Sequence, residues 1–185
     1  EVTGLDDIRL NYAIQHLAFD YERHLPVGSR SDVVVAGGGT AGAMTAIGAM
    51  EKDASVTTVE YFPELGGTKT LGGVMGYYWG YKDTGLFDRM ERAIEEQGKA
   101  LGASTSRMAM MFYLRKQTTR GGGRLLTDSI ACGVTKDRNR VTGLLVERDG
   151  ALTILKGKVI VEATGDGDVA VFAGAAWDSG NRRMR

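Results

Sequence analysis

The sequence predicts an α/β fold: a parallel βαβ sheet with helices and an attached three-stranded antiparallel β-meander. Three observations carry that prediction. An apolar strand, Asp32-Val33-Val34-Val35-Ala36, runs into Gly37-Gly38-Gly39-Thr40-Ala41-Gly42 and then into a helix of small residues. A second strand ends on an acid, Glu60. Later the hydrophobic period shortens from helical spacing towards strand spacing, and Asp149-Gly150 marks a hairpin turn.

The elements follow in order. Residues 1–30 are weakly periodic and read as an N-terminal arm or linker, with a short helix possible between Leu10 and Leu25 and a linker at Pro26-Val27-Gly28-Ser29. Val33–Ala36 suits the middle of a parallel sheet, where strands are buried on both faces. A helix is expected from about Ala41 to Lys52, with Ala43, Ala46, Ile47 and Met50 on its apolar stripe. Ser55–Tyr61 is the next strand, and 62–83 a long loop rich in glycine and aromatics. Helical spacing returns through Phe87, Met90, Ala93 and Ile94 in Gly85–Leu101, and again in Arg107–Lys116, until Gly121-Gly122-Gly123 breaks it. Strands are expected at Leu125–Val134, Val141–Arg148 and Leu152–Leu155, with Gly157 separating the last from a buried strand at Lys158–Ala163. Residues 31–178 thus form one domain, followed by a tail at 179–185.

Bulk composition narrows the function. The 185 residues can bury a core, and 23 basic residues balance 23 acidic ones. A nucleic-acid or membrane-surface binder would show a basic excess, so neither partner is expected. No apolar run reaches the ~20 residues of a membrane span. One cysteine and two histidines, His16 and His24, provide neither a disulfide framework nor a metal cluster. The compartment is left open, with the cytoplasm favoured. The 27 glycines are not low complexity; they gather at 37–42, 66–76, 121–123 and 165–167.

The first glycine cluster has a chemical reading. In a strand–turn–helix, Gly37 permits the sharp turn, Gly39 lets a pyrophosphate approach the backbone, and Gly42 lets the helix pack close to the strand. The helix N-terminus offers N–H groups and partial positive charge to phosphates. Glu60 can accept hydrogen bonds from a ribose hydroxyl pair. These features make the unit a dinucleotide site. Two further motifs refine it: Leu65-Gly66-Gly67-Thr68-Lys69-Thr70-Leu71-Gly72-Gly73-Val74 after the acid, and an apolar strand running into Ala163-Thr164-Gly165-Asp166-Gly167-Asp168.

With these three motifs the chain resembles FAD-dependent oxidoreductases of the glutathione-reductase structural family, in the branch with the Gly-Gly-x-x-Thr-x-Gly-Gly-Val and Ala-Thr-Gly-Asp-Gly-Asp motifs. The resemblance covers residues 31–80 well and about 125–178 more loosely. It implies a Rossmann-like FAD/NAD(P)-binding fold with FAD as cofactor. Gly37, Gly38, Gly39, Thr40, Ala41 and Gly42 would hold the pyrophosphate, and Glu60, with Tyr61 beside it, the adenosine ribose. Gly66, Gly67 and Thr68 would line the phosphate and ribityl side, and backbone at Ile130, Ala131 and Cys132 would meet the adenine. Ala163, Thr164 and Gly165 would close over the cofactor, with Asp166 either joining them or capping the next turn.

Where disulfide reductases of the family carry cysteines after the Gly-Gly-Thr turn, this chain has Lys69 and Val74, so no dithiol relay operates. Members also carry a later segment that returns to the flavin and a substrate domain, so a fragment of a longer protein is expected. The implied activity is hydride or electron transfer between a small organic substrate and FAD, with no catalytic residue assignable. An NAD(P)-binding oxidoreductase domain and a non-catalytic remnant of the fold are the rivals. Oligomeric state is left open.

Other residues have structural readings. Tyr77, Tyr78, Trp79 and Tyr81 read as loop packing more than flavin walls. Met108, Met110 and Met111 read as helix packing, and Cys132 as a buried inert thiol. Lys69 is either a stabiliser of charge on reduced flavin or a solvated lysine. Asp166 and Asp168 read as turn residues beside their glycines rather than as an acid–base pair.

Overall fold

The computed structural model describes residues 25–74, 85–100, 102 and 107–178. The expected helix near the N-terminus, His16, His24, the aromatic run 77–81 and the tail at 179–185 lie outside them. Six strands form one sheet: β1 (Val27–Ala36), β2 (Val56–Val59), β3 (Arg124–Leu126), β4 (Ile130–Asp137), β5 (Arg140–Arg148) and β6 (Ala151–Glu162). Among the described residues four α-helices accompany them: α1 (Thr40–Met50), α2 (Gly85–Ala100), α3 (Arg107–Thr118) and α4 (Asp168–Phe172).

The strand order is β3-β2-β1-β6-β5-β4. β1, β2, β3 and β6 pair in parallel, whereas β4, β5 and the first half of β6 pair antiparallel. β6 therefore belongs to both halves. Ile154, Leu155 and Lys156 pair with β5 on one side and with β1 on the other.

Alternation along β1 explains the layers. Val34 and Ala36 turn to a core that contains Leu144, Val146 and Leu155, so the meander folds back over that face of the parallel sheet. Val35 turns the other way, with Val56, to meet Ala46 of α1. α2 and α3 extend the helical layer, where Met90, Ile94, Ala109, Met110 and Leu114 bury around Leu65, Ala43 and Ile47. The helices cover one face and the meander the other, as a buried parallel sheet requires.

Three sequence-derived boundaries are corrected. The linker at Pro26–Ser29 is mostly strand, because Val27 and Ser29 pair with Ile154 and Leu155. The single strand at Leu125–Val134 is two: β3 pairs with β2, the turn through Asp128 (φ 52°) redirects the chain, and β4 starts the meander. The meander's third strand and the strand that rejoins the parallel sheet are one, since β6 passes through Gly157 unbroken. Gly157 serves packing there: a Cβ on it would lie 2.8 Å from Ile160 Cδ1. The methionine reading also needs one correction. Met110 is buried and Met111 half-buried, but Met108 is 73% exposed.

Candidate functional site

β1, β2 and β6 end side by side, and the turns that follow them build the site. After β1, the Gly37 N–H donates to Val59 O at 2.8 Å, tying the turn to β2. Gly37 has φ of 98°, a left-handed conformation suited to glycine. A Cβ there would lie 2.2 Å from Ala163 O, so the turn after β6 sits directly against it. A Cβ on Gly42 would lie 1.8 Å from Gly37 O, which is the close helix–strand approach the motif predicts. Gly39 differs: nothing lies within 4 Å of its would-be Cβ. It is the N-cap of α1, which has no side-chain cap and no acid in its first turn. A helix start of this kind is chemically suited to an anion.

Glu60 follows β2 and is only 5% exposed. Its Oε2 accepts from Gly38 N–H at 2.6 Å and its Oε1 from Phe62 N–H at 2.8 Å. A carboxylate has about four acceptor positions; two are used, so each oxygen retains capacity for a ribose hydroxyl. The backbone of Glu60 is also fixed, its N–H donating to Leu126 O at 2.8 Å and its carbonyl accepting from Ser129 N–H at 3.0 Å. Those bonds bring the start of β4 to the end of β2. Ile130 is exposed there. Cys132 points elsewhere: it packs with Leu145 and Ile154, its thiol donates to Leu145 O at 3.6 Å, and burial pushes that thiol's pKa up. An inert thiol fits these surroundings. Tyr61 is exposed and stands edge-on to Phe62, with ring centroids 5.0 Å apart.

The Gly66–Val74 turn locks onto the first. Gly66 N–H donates to Gly38 O at 2.9 Å, and the Thr40 hydroxyl donates to Gly66 O at 3.1 Å. A Cβ on Gly67 would lie 3.2 Å from Gly39 Cα. Thr70 is the internal pin: its buried hydroxyl donates to Leu65 O at 2.6 Å. Thr68 is exposed on this turn. Lys69 is not a solvated lysine: its ammonium lies 3.6 Å from Glu91 and 5.6 Å from the Phe87 ring centroid, tying the turn to α2.

After β6, Ala163 N–H donates to Ala36 O at 2.8 Å, which aligns the third turn with the first. Thr164 is half-buried, while Gly165 and Asp166 are exposed; no described atom lies within 4 Å of a Cβ on Gly165. The capping role considered for Asp166 belongs to Glu162, whose Oε2 accepts from Val169 N–H in the first turn of α4. Burial, with Asp166 and Glu162 adding to it, pushes the Asp168 carboxyl up.

The structure thus brings Gly37–Gly42, Glu60, Gly66, Gly67, Ala163 and Thr164 to one end of the sheet, with Tyr61, Thr68, Ile130, Gly165 and Asp166 in exposed positions. Sequence reasoning missed three contributors. Leu65 plugs the space beneath Gly38, Thr70 pins the second turn, and Glu162 braces the third. Leu65 and Thr70 stand inside a quoted motif and could have been found; Glu162 carries no signal that separates it from an ordinary strand-end residue. No described helix is long and apolar enough to cross a membrane.

An open, uncapped helix start beside a buried carboxylate with free acceptor capacity fits a dinucleotide. Known structures share this architecture. The flavin-dependent brominase Bmp2 is 21% identical, with a TM-score of 0.53 over 73% of this chain and 38% of its own. A geranylgeranyl bacteriochlorophyll reductase-like protein from Thermoplasma acidophilum is 16% identical, with a TM-score of 0.55 over 80% of this chain and 43% of its own. THI4 of Thermovibrio ammonificans is 18% identical, with a TM-score of 0.54 over 89% of this chain and 68% of its own. At these identities the likeness is one of fold, and the chain spans less than half the length of the first two. No curated protein sequence matches the chain. The profile of the FAD dependent oxidoreductase family matches residues 32–185, so this chain belongs to that family, whose cofactor is FAD.

Proposed function

We propose that this chain is the FAD-binding part of a flavin-dependent oxidoreductase that moves hydride or electrons between a small organic substrate and the flavin, without a redox-active disulfide. The finer placement, in the glutathione-reductase structural family, rests on the order of the three turn motifs around β1, β2 and β6. The observation that carries the reading is the open position at Gly39, at the uncapped start of α1 and next to Gly38, whose N–H donates to Glu60. When bound, FAD supplies the redox chemistry itself.

The chain's own residues bind and orient. The N-terminal N–H groups of α1 would face the pyrophosphate, and the fixed α1 dipole would favour its charge. Glu60, immobilised by two backbone N–H groups, would offer its remaining lone pairs to the ribose hydroxyls. Gly66, Gly67 and Thr68 would flank the phosphates, the Ile130 end of β4 the adenine, and Ala163 to Gly165 the inner side of the cofactor. Val74 and Lys69 carry no sulfur, so these positions would supply no dithiol relay beside a bound flavin.

The test is an absorption spectrum of the full-length protein after desalting, with and without added FAD. Retained flavin bands are expected. A full-length protein that retains no flavin and shows no titratable affinity for it would overturn the reading.

A further inference from the structure

We propose that Glu162 is a positioning residue of the cofactor site, one that sets the Ala163–Gly165 turn against the Gly37 turn and ties it to α4. The proposal rests on the flavin reading above. Glu162 is the last residue of β6. Its Oε1 accepts from both the N–H and the hydroxyl of Thr164, each at 2.6 Å. Its Oε2 accepts from Val169 N–H, also at 2.6 Å. Thr164 Oγ1 in turn accepts from Asp168 N–H at 3.2 Å. The side chain therefore closes two rings, one around the turn and one across to the helix.

The N-cap residue of α4 offers no side-chain cap of its own. It is Gly167, in the left-handed region at φ 82°, with no side chain to offer. Glu162 does this work from outside the helix, and that links cap and turn mechanically. The Ala163 carbonyl lies where a Cβ on Gly37 would need to be, 2.2 Å away. A displacement of the third turn therefore presses directly on the first, whose next residues, Gly38 and Gly39, lead into the phosphate-facing start of α1. Packing this close transmits small shifts rather than absorbing them.

Only a carboxylate meets all three donors. It accepts on both oxygens, whereas an amide accepts on one and donates from the other. In Glu162→Gln the amide oxygen can keep Thr164, and the NH2 group then faces the Val169 N–H, donor against donor. That variant removes the Val169 bond to α4 while leaving side-chain size unchanged, and the longer Asp168 N–H bond to Thr164 remains. Thr164→Val removes the hydroxyl bond and leaves the backbone bond.

The experiment uses the full-length protein and three readouts: the FAD dissociation constant, the visible circular dichroism of bound flavin, and urea unfolding of the apoprotein. The expected result is an FAD dissociation constant raised about tenfold in Glu162→Gln, the value of one lost charge-assisted hydrogen bond. The flavin dichroism should change as well, and Thr164→Val should move both in the same direction by less. A purely structural brace would lower the apoprotein's unfolding midpoint and leave the affinity and dichroism of the folded protein at wild-type values; that outcome overturns the proposal and leaves the flavin reading standing. If Glu162→Gln does not fold, Thr164→Val decides by the same criteria. A wild-type protein without flavin affinity overturns the flavin reading and this proposal together.

Discussion

The turns after β1 and β6 end adjacent strands and touch each other, yet they are held by opposite means. The first uses the absence of side chains: Gly37, Gly38 and Gly42 are crowded by backbone, Leu65 and Glu60, and any Cβ would collide. The second uses the presence of one: Glu162 gathers three donors on a carboxylate. The lesson is that steric closeness writes itself into the sequence as glycine, whereas a hydrogen-bonded brace writes an ordinary acid at an ordinary strand end.

The comparison can be broken most severely at Gly42. Gly42→Ala places a methyl 1.8 Å from a backbone carbonyl, so it should cost about 3 kcal/mol or more in urea unfolding and abolish flavin retention. A stable variant that retains flavin would mean that the first turn is not sterically held. Gly39→Val separates fold from ligand. With nothing within 4 Å, it should stay within about 1 kcal/mol of wild type in unfolding, yet weaken FAD by about a hundredfold or more in titration, since the side chain occupies the pyrophosphate's place.

Smaller effects sharpen the contrast. Glu60→Ala should weaken FAD binding by about 1–3 kcal/mol and leave the Gly38 and Phe62 N–H groups unpaired; unchanged affinity in calorimetry would remove Glu60 from the site. Asp168→Asn should have the least effect. Burial raises the Asp168 carboxyl, so the folded protein holds that proton more tightly than the unfolded chain does. Stability therefore declines as pH rises from the unfolded value of 3.8 through the higher folded one. The variant should melt slightly higher than wild type at pH 7 and no higher at pH 3; the reverse order in thermal scans would contradict the assignment.

The turn geometry was legible because close backbone approach demands missing side chains, and Gly37 and Gly42 recorded that demand one residue at a time. The α1 stripe of Ala43, Ala46 and Ile47 was equally plain, all three being buried. What stayed hidden depends on long-range pairing. Val27 and Ser29 look like linker until β6 is there to pair with them. Gly157 looks like a break until Ile160 and Val34 are seen crowding the place of its Cβ. The redirection at Asp128 is a single left-handed residue without a glycine to announce it. Lys69 could not be assigned because Glu91 and Phe87, its neighbours in space, are remote in sequence.

The strand shared by both halves has a consequence for synthesis. On the ribosome, β1 and β2 leave the exit tunnel long before β6, and β1 holds a central place in the finished sheet. Until Ile160 arrives to pair with Val34, one whole edge of β1 offers unpaired backbone, with Val34 lacking its meander cover as well. Long-range parallel pairing of this kind is slow to close and exposed to aggregation meanwhile. The nascent chain therefore carries an unpaired apolar strand edge for the interval between the emergence of its first strand and its last.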